Sequence, residues 1–215
     1  MKTIKSLMVA ALITLGTAGA FAQSSDMFTY GVNNVYVQYN DVKLKGNIDS
    51  SLGGFSVGYN RMFGLTEKAP LYVEVGGAFE YANVEETLEV AGVKLGDTEM
   101  NLYTFKVPLS IGYQFAIGQS GFSVAPYAGF DLLYHFKGEI KDNQSGETLD
   151  IFKDSDDSNI DDSNRFQAGW HAGINLAYKH VFAGVTYGET FNGMTKIEGS
   201  KSKLGTTSVS IGYRF

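Results

Sequence analysis

The chain of 215 residues has no cysteine, 3 prolines, 3 histidines, one tryptophan and only 19% charged residues. Zero cysteine excludes a disulfide-stapled secreted domain and any thiolate metal site. A mean hydropathy of −0.08 and the lack of repeated apolar runs of about 20 residues exclude a bundle of membrane helices. An apolar content of 44% is too high for a disordered chain. In place of what is missing stand 26 Gly, 15 Phe and 13 Tyr. Much glycine and aromatic residue with little proline suits a sheet protein, and the length permits one large all-β domain.

Lys2 and Lys5 precede an apolar run from Leu7 to Leu15, which ends in small residues including Ala20 and Ala22. A basic start, a short apolar run and an Ala-x-Ala site make a secretory signal over residues 1–22, cut after Ala22. A membrane anchor would need a longer run. The exported chain is then 23–215, and losing Lys2 and Lys5 takes its formal charge from −6 to −8.

Apolar residues recur every second position through the rest of the chain, which is the period of a half-buried strand. In 101–115, Tyr103, Phe105, Val107, Leu109, Ile111, Tyr113 and Phe115 share one face, while Thr104, Lys106, Pro108, Ser110, Gly112 and Gln114 share the other. In 122–136, Phe122, Val124, Pro126, Ala128, Phe130, Leu132, Tyr134 and Phe136 alternate with Ser123, Ala125, Tyr127, Gly129, Asp131, Leu133 and His135. The same test places strands near 29–39, 55–60, 71–81, 166–178, 181–188 and 207–215. The connections are sorted by length. Short ones (62–70, 116–121, 179–180) alternate with long polar ones (40–52, 82–100, 137–165, 192–204). Eight strands with short turns at one end and long loops at the other predict an eight-stranded antiparallel up-and-down transmembrane β-barrel.

A repeat supports that count. Ser56-Val57-Gly58-Tyr59, Ser110-Ile111-Gly112-Tyr113 and Ser210-Ile211-Gly212-Tyr213 share one pattern, with Asn175-Leu176-Ala177-Tyr178 a looser copy. Each falls at the short-turn end of a strand. Tyr59, Tyr113, Tyr178 and Tyr213 therefore predict an aromatic girdle on the periplasmic side, where amphipathic rings sit at headgroup depth. Phe63, Phe115, Phe122, Phe182 and Phe215 are expected to add to it. Tyr39, Tyr81, Tyr103, Tyr134, Phe136, Phe166 and Tyr187 are expected to form the opposite girdle.

The uncharged face suits lipid, and the other face carries Glu74, Glu80, Lys106, Asp131, His135, His171 and Arg214 among small residues. A water-soluble barrel would have the reverse polarity. Eight strands enclose a lumen only as wide as its own side chains, and buried charges there must pair. Counting from the short turns puts Lys106 between Glu80 and Asp131, as a structural plug. Pro108 and Pro126 fall inside adjacent central strands, where proline removes a ladder bond. Alternation runs through both, so no frame-shifting bulge is expected at either.

The signal, the eight alternating strands and the last strand Val209-Ser210-Ile211-Gly212-Tyr213-Arg214-Phe215 resemble small outer-membrane β-barrel proteins of the OmpX/OmpA-barrel, porin-family type. The resemblance implies residence in a bacterial outer membrane, with membrane lipids and lipopolysaccharide as surroundings. It also implies that Tyr213 and Phe215 form a carboxyl-terminal signal read by the barrel-assembly machinery.

Other sites are weaker. The stretch 137–164 carries nine acids against three lysines. Asp154-Ser155-Asp156-Asp157-Ser158-Asn159 opens like a calcium loop but has Asn159 where Gly belongs and Arg165 where Glu belongs. A solvated surface loop is the better reading. Three histidines form no convincing metal or hydrolase site, and no serine stands out as a nucleophile. No catalytic residue, metal or cofactor is expected, and the acidic balance argues against nucleic acid. The expected role is a plugged, non-enzymatic barrel that stabilises the envelope or makes surface contacts through its loops. A narrow channel for small solutes and a lipid-modifying enzyme stay open as alternatives.

Overall fold

The computed structural model describes residues 31–45, 50–65, 70–90, 93–117, 120–142, 145–152, 164–193 and 203–215. The predicted signal and its cleavage site lie outside these residues, as does the loop segment 153–163. The strands are β1 (Val32–Lys45), β2 (Ser50–Gly64), β3 (Leu71–Val90), β4 (Val93–Tyr113), β5 (Phe115–Ile117), β6 (Phe122–Asp142), β7 (Thr148–Asp150), β8 (Phe166–Tyr178), β9 (Val181–Thr190) and β10 (Lys203–Arg214).

Every neighbouring pair is antiparallel, and the sheet closes because β4 pairs β6 and β1 pairs β10. β5 continues β4 after a break at Gln114, and β7 adds a short piece beside the far end of β6. The architecture is thus an eight-stranded antiparallel β-barrel with a closed wall. Phe215 completes the closure, since it exchanges backbone hydrogen bonds of 2.8 and 2.9 Å with Asn33.

The strands are longer than alternation alone indicates. Residues 40–52 and 82–100, expected as loops, are mostly strand: β1–β2 pairing runs to Leu44↔Ser50 and β3–β4 pairing to Val90↔Val93. Polar residues hid this, because a hairpin standing beyond the membrane has no apolar face to display. β6 also continues past Phe136, in a shifted frame. Tyr103 pairs Lys137 while Thr104 pairs His135, so Phe136 is an extra, bulged residue. Phe136 and Lys137 both face outward as a result.

Both prolines lie where the ladder lapses. β3–β4 pairing skips Gly76 and Gly77 opposite Pro108 and Val107, then resumes in the same register. The β4–β5 break at Gln114 lies beside the place of Pro126 on β6, again without a register change. A missing amide donor is harmless where no partner is engaged.

The two faces are inverted relative to a soluble protein. Phe105, Ile111, Phe130 and Leu132 are 46–60% exposed on the outside. Asn40, Ser56, Ser110, His135, Gln167 and His171 are buried inside. The repeat now has a physical meaning. Its Gly faces inward beneath an aromatic ring from the directly paired position of the next strand: Tyr36 over Gly58, Tyr72 over Gly112 and Phe182 over Gly212. A Cβ at Gly58, Gly112 or Gly212 would approach the ring to 2.3–2.4 Å. Phe182 is therefore an interior ring, 6% exposed, and not part of the girdle; its place in β9 has inward parity. The repeat's Tyr residues, one position on, face outward at the short-turn end.

Candidate functional site: the polar interior

The interior is layered. Met62, Tyr72 and Ala125 form an apolar cluster toward the short turns. Val42, Leu52, Ala82, Leu102, Phe152 and Leu204 form another toward the long hairpins. Between them, inward-facing residues of all eight staves present polar groups in a low-dielectric enclosure, where each needs a partner.

Toward the short turns, Glu74 accepts hydrogen bonds from Asn34 Nδ2 at 3.1 Å and Asn60 Nδ2 at 2.9 Å. Arg214 donates through Nε to Asn34 Oδ1 at 3.2 Å and through Nη1 to Gln114 Oε1 at 3.1 Å. Its guanidinium also lies 5.8 Å from the Phe182 ring. At mid-height, Lys106 Nζ forms an ion pair with Glu80, both side chains being 13–15% exposed. Asp131 makes its ion-pair contact with His171, Oδ1 to Nδ1 at 3.0 Å, and His171 Nε2 lies 2.8 Å from Ser110 Oγ. Tyr127 and Thr186 hydroxyls meet at 2.5 Å.

Toward the long hairpins, His135 is held by two neutral groups, Thr104 Oγ1 and Gln167 Oε1, each at 2.7 Å. The Phe152 ring stacks on it at 6.1 Å between centroids and 4° between planes. The Arg165 guanidinium lies over the Phe152 ring at 5.1 Å and donates to the Phe152 carbonyl at 2.7 Å. The chain after β7 thus folds back and sets Phe152, 8% exposed, into the barrel mouth. A cavity of about 90 Å³ runs along the interior from Asn60 and Glu74 to Thr190 and Leu204, passing Glu80, Lys106, Ser110 and His171 at mid-height. That is room for several waters.

All seven residues singled out for the lumen point inward, in four bonded groups: Glu74 and Arg214 joined through Asn34, Lys106 with Glu80, Asp131 with His171, and His135 among neutral partners. Sequence reasoning missed their neutral partners, Asn34, Asn60, Thr104, Ser110 and Gln167. Alternation parity placed Thr104, Ser110 and Gln167 on the inward face. Which of many inward polar residues touch follows from register, which parity does not supply. On the outside, Tyr59 and Tyr213 flank Val35 in the same row, and Tyr113 and Tyr178 pair Leu71 and Phe122 at the starts of β3 and β6. At the other end, Phe55, Tyr81, Tyr103 and Phe136 make a chain of ring contacts, with centroids 5.1–6.0 Å apart.

Among solved structures, the fold is similar to the attachment invasion locus protein Ail of Yersinia pestis, determined with the heparin analogue sucrose octasulfate. The TM-score is 0.48 and the identity 16%, over 86% of this chain and 99% of that one. Neisserial surface protein A gives 0.44 and 18%, over 86% and 97%. The outer membrane enzyme PagL gives 0.49 and 12%, over 85% and 98%. No curated protein matches the chain. The family model for the outer membrane protein β-barrel domain matches residues 8–215. With that match over nearly the whole chain, and a closed wall that is apolar outside and polar within, the protein belongs to the outer membrane protein β-barrel domain family and is a barrel of the bacterial outer membrane.

Proposed function

We propose that the protein is a sealed structural barrel that presents its long hairpins at the cell surface. Its outer face is solvated by membrane lipids, with lipopolysaccharide around the outward hairpins. One observation carries this reading: among the described residues the paired side chains Lys106 and Glu80 at mid-height and the Phe152 ring at the mouth occupy the interior, leaving a cavity of about 90 Å³ beside them. A hydrated ion passing through would have to displace the Lys106–Glu80 pair and the Phe152 ring, and unpaired charges left behind in such a site are costly. The last strand fits an assembly role for Tyr213 and Phe215. Phe215 is laddered to Asn33 at the closing seam, so the terminal aromatic stands where the first and last strands must meet.

The test is conductance in a planar lipid bilayer. The wild-type barrel is expected to give no stable open level, and Phe152→Gly to raise brief leak events. A steady ohmic conductance from the wild type would overturn the sealed reading in favour of a narrow channel.

A further inference from the structure

Two histidines face the lumen with different chemistry. His135 sits between a hydroxyl and an amide, and Phe152 covers it. His171 has a carboxylate on one ring nitrogen and a serine hydroxyl on the other, and it borders the cavity. We infer that Ser110, His171 and Asp131 form a base-activated nucleophile inside the barrel, able to accept an acyl or sulfonyl group from a small neutral electrophile.

The arrangement follows from register. Gly129 on β6 pairs Ser110 on β4 on one side and His171 on β8 on the other. Having no side chain, Gly129 leaves the space between two strands that each stand about 4.8 Å away, and the imidazole spans it to reach Ser110. Asp131 lies two residues along β6 from Gly129, on the same inward face, and so meets the other edge of the ring. Gly188, paired with His171 on β9, keeps the opposite flank clear; a Cβ there would lie 3.3 Å from that of His171.

Asp131 Oδ1 and His171 Nδ1 are buried and have no aligned hydrogen-bond partner. They lie 3.0 Å apart without hydrogen-bond alignment. A carboxylate beside Nδ1 favours the ring proton there, which leaves Nε2 as the acceptor for the Ser110 hydroxyl, the tautomer a general base needs. In the reaction, Ser110 Oγ bonds to the carbonyl carbon or sulfonyl sulfur. Its proton passes to His171 Nε2, the bond from that carbon or sulfur to the leaving group breaks with its electron pair on the leaving group, and Asp131 stays ionised beside the imidazolium. With an ester, the leaving alkoxide takes the proton from Nε2, and water reverses the sequence to release the acid. The cavity restricts the electrophile to a few non-hydrogen atoms.

Methylsulfonyl fluoride is the probe: Ser110 Oγ displaces fluoride and keeps a methylsulfonyl group visible by intact mass. The refolded full-length barrel at pH 8 is expected to gain one adduct, located at Ser110 by peptide mapping. The rate is expected to fall about 100-fold or more in His171→Gln and to vanish in Ser110→Ala. Heat-modifiable gel mobility verifies the fold of each variant, and urea-unfolded wild type supplies the reactivity of a serine without its base. An adduct on Lys106 or Tyr127 instead, a rate unchanged in folded His171→Gln, or no adduct in both the folded wild type and folded Phe152→Gly would each overturn the inference. Phe152→Gly separates this test from the sealed reading, since an adduct that forms only once the mouth is opened supports the nucleophile and reports the seal.

Discussion

Lys106→Met isolates the energetics of the barrel interior. In the native protein the Lys106 and Glu80 side chains are 13% and 15% exposed and form an ion pair. Two unit charges near contact attract by about 4 kcal/mol in an effective dielectric of about 20. Removing the lysine leaves a carboxylate among Tyr36, Ala78 and the remaining wall. Breaking one side of such a buried pair costs about 3–5 kcal/mol. The assay is equilibrium unfolding in urea from lipid vesicles. Trp170, the one tryptophan of the chain and 38% exposed on the outer face, reports transfer from lipid to water. The expected loss is about 3–5 kcal/mol, with most of the stability regained in Glu80→Gln/Lys106→Met. A loss below about 1 kcal/mol, or a double variant as unstable as the sum of the singles, would refute the reasoning.

Two further perturbations probe the wall. Leu132→Arg puts a cation on the lipid face at a position 46% exposed, and is expected to cost about 2–4 kcal/mol in vesicles; equal stability of variant and wild type in the urea assay would contradict the assignment of faces. Gly112→Ala would bring a Cβ to 2.3 Å from Tyr72 Cζ and is expected to cost about 1–3 kcal/mol. Tyr72→Leu in the same chain should recover part of that loss, and a larger loss in the double variant would mean that the ring is not what the methyl meets.

Much of this architecture is legible in the chain because a barrel in lipid writes its period onto the sequence. Phe105, Leu109 and Ile111 alternate with Lys106, Pro108 and Ser110, and the faces follow. The legible part stops where lipid stops. Residues 82–90 and 93–100 form paired strand beyond the apolar band, and nothing in Glu85–Thr87 or Asp97–Thr98 alternates in hydrophobicity. Register is the second limit. That Gly129 lies between Ser110 and His171 follows from strand offsets, which the bulge at Phe136 alters farther along β6. The prolines illustrate the same point: Pro108 and Pro126 look misplaced until the lapses at Gly76–Gly77 and Gln114 appear beside them. Parity puts Phe182 on the inward face with Gly184 and Thr186, and only its nearness to a turn makes it resemble a girdle residue.

The Phe152 cork has one more implication. It is carried by the chain that leaves the barrel after β7 and is not part of the wall, so tension applied to that chain from outside acts directly on the stopper. Arg165, which grips the Phe152 carbonyl, resists that pull like a latch. On the sealed reading, whatever pulled on this stretch of backbone would also draw the ring out of the lumen, so force on the outside would be felt inside.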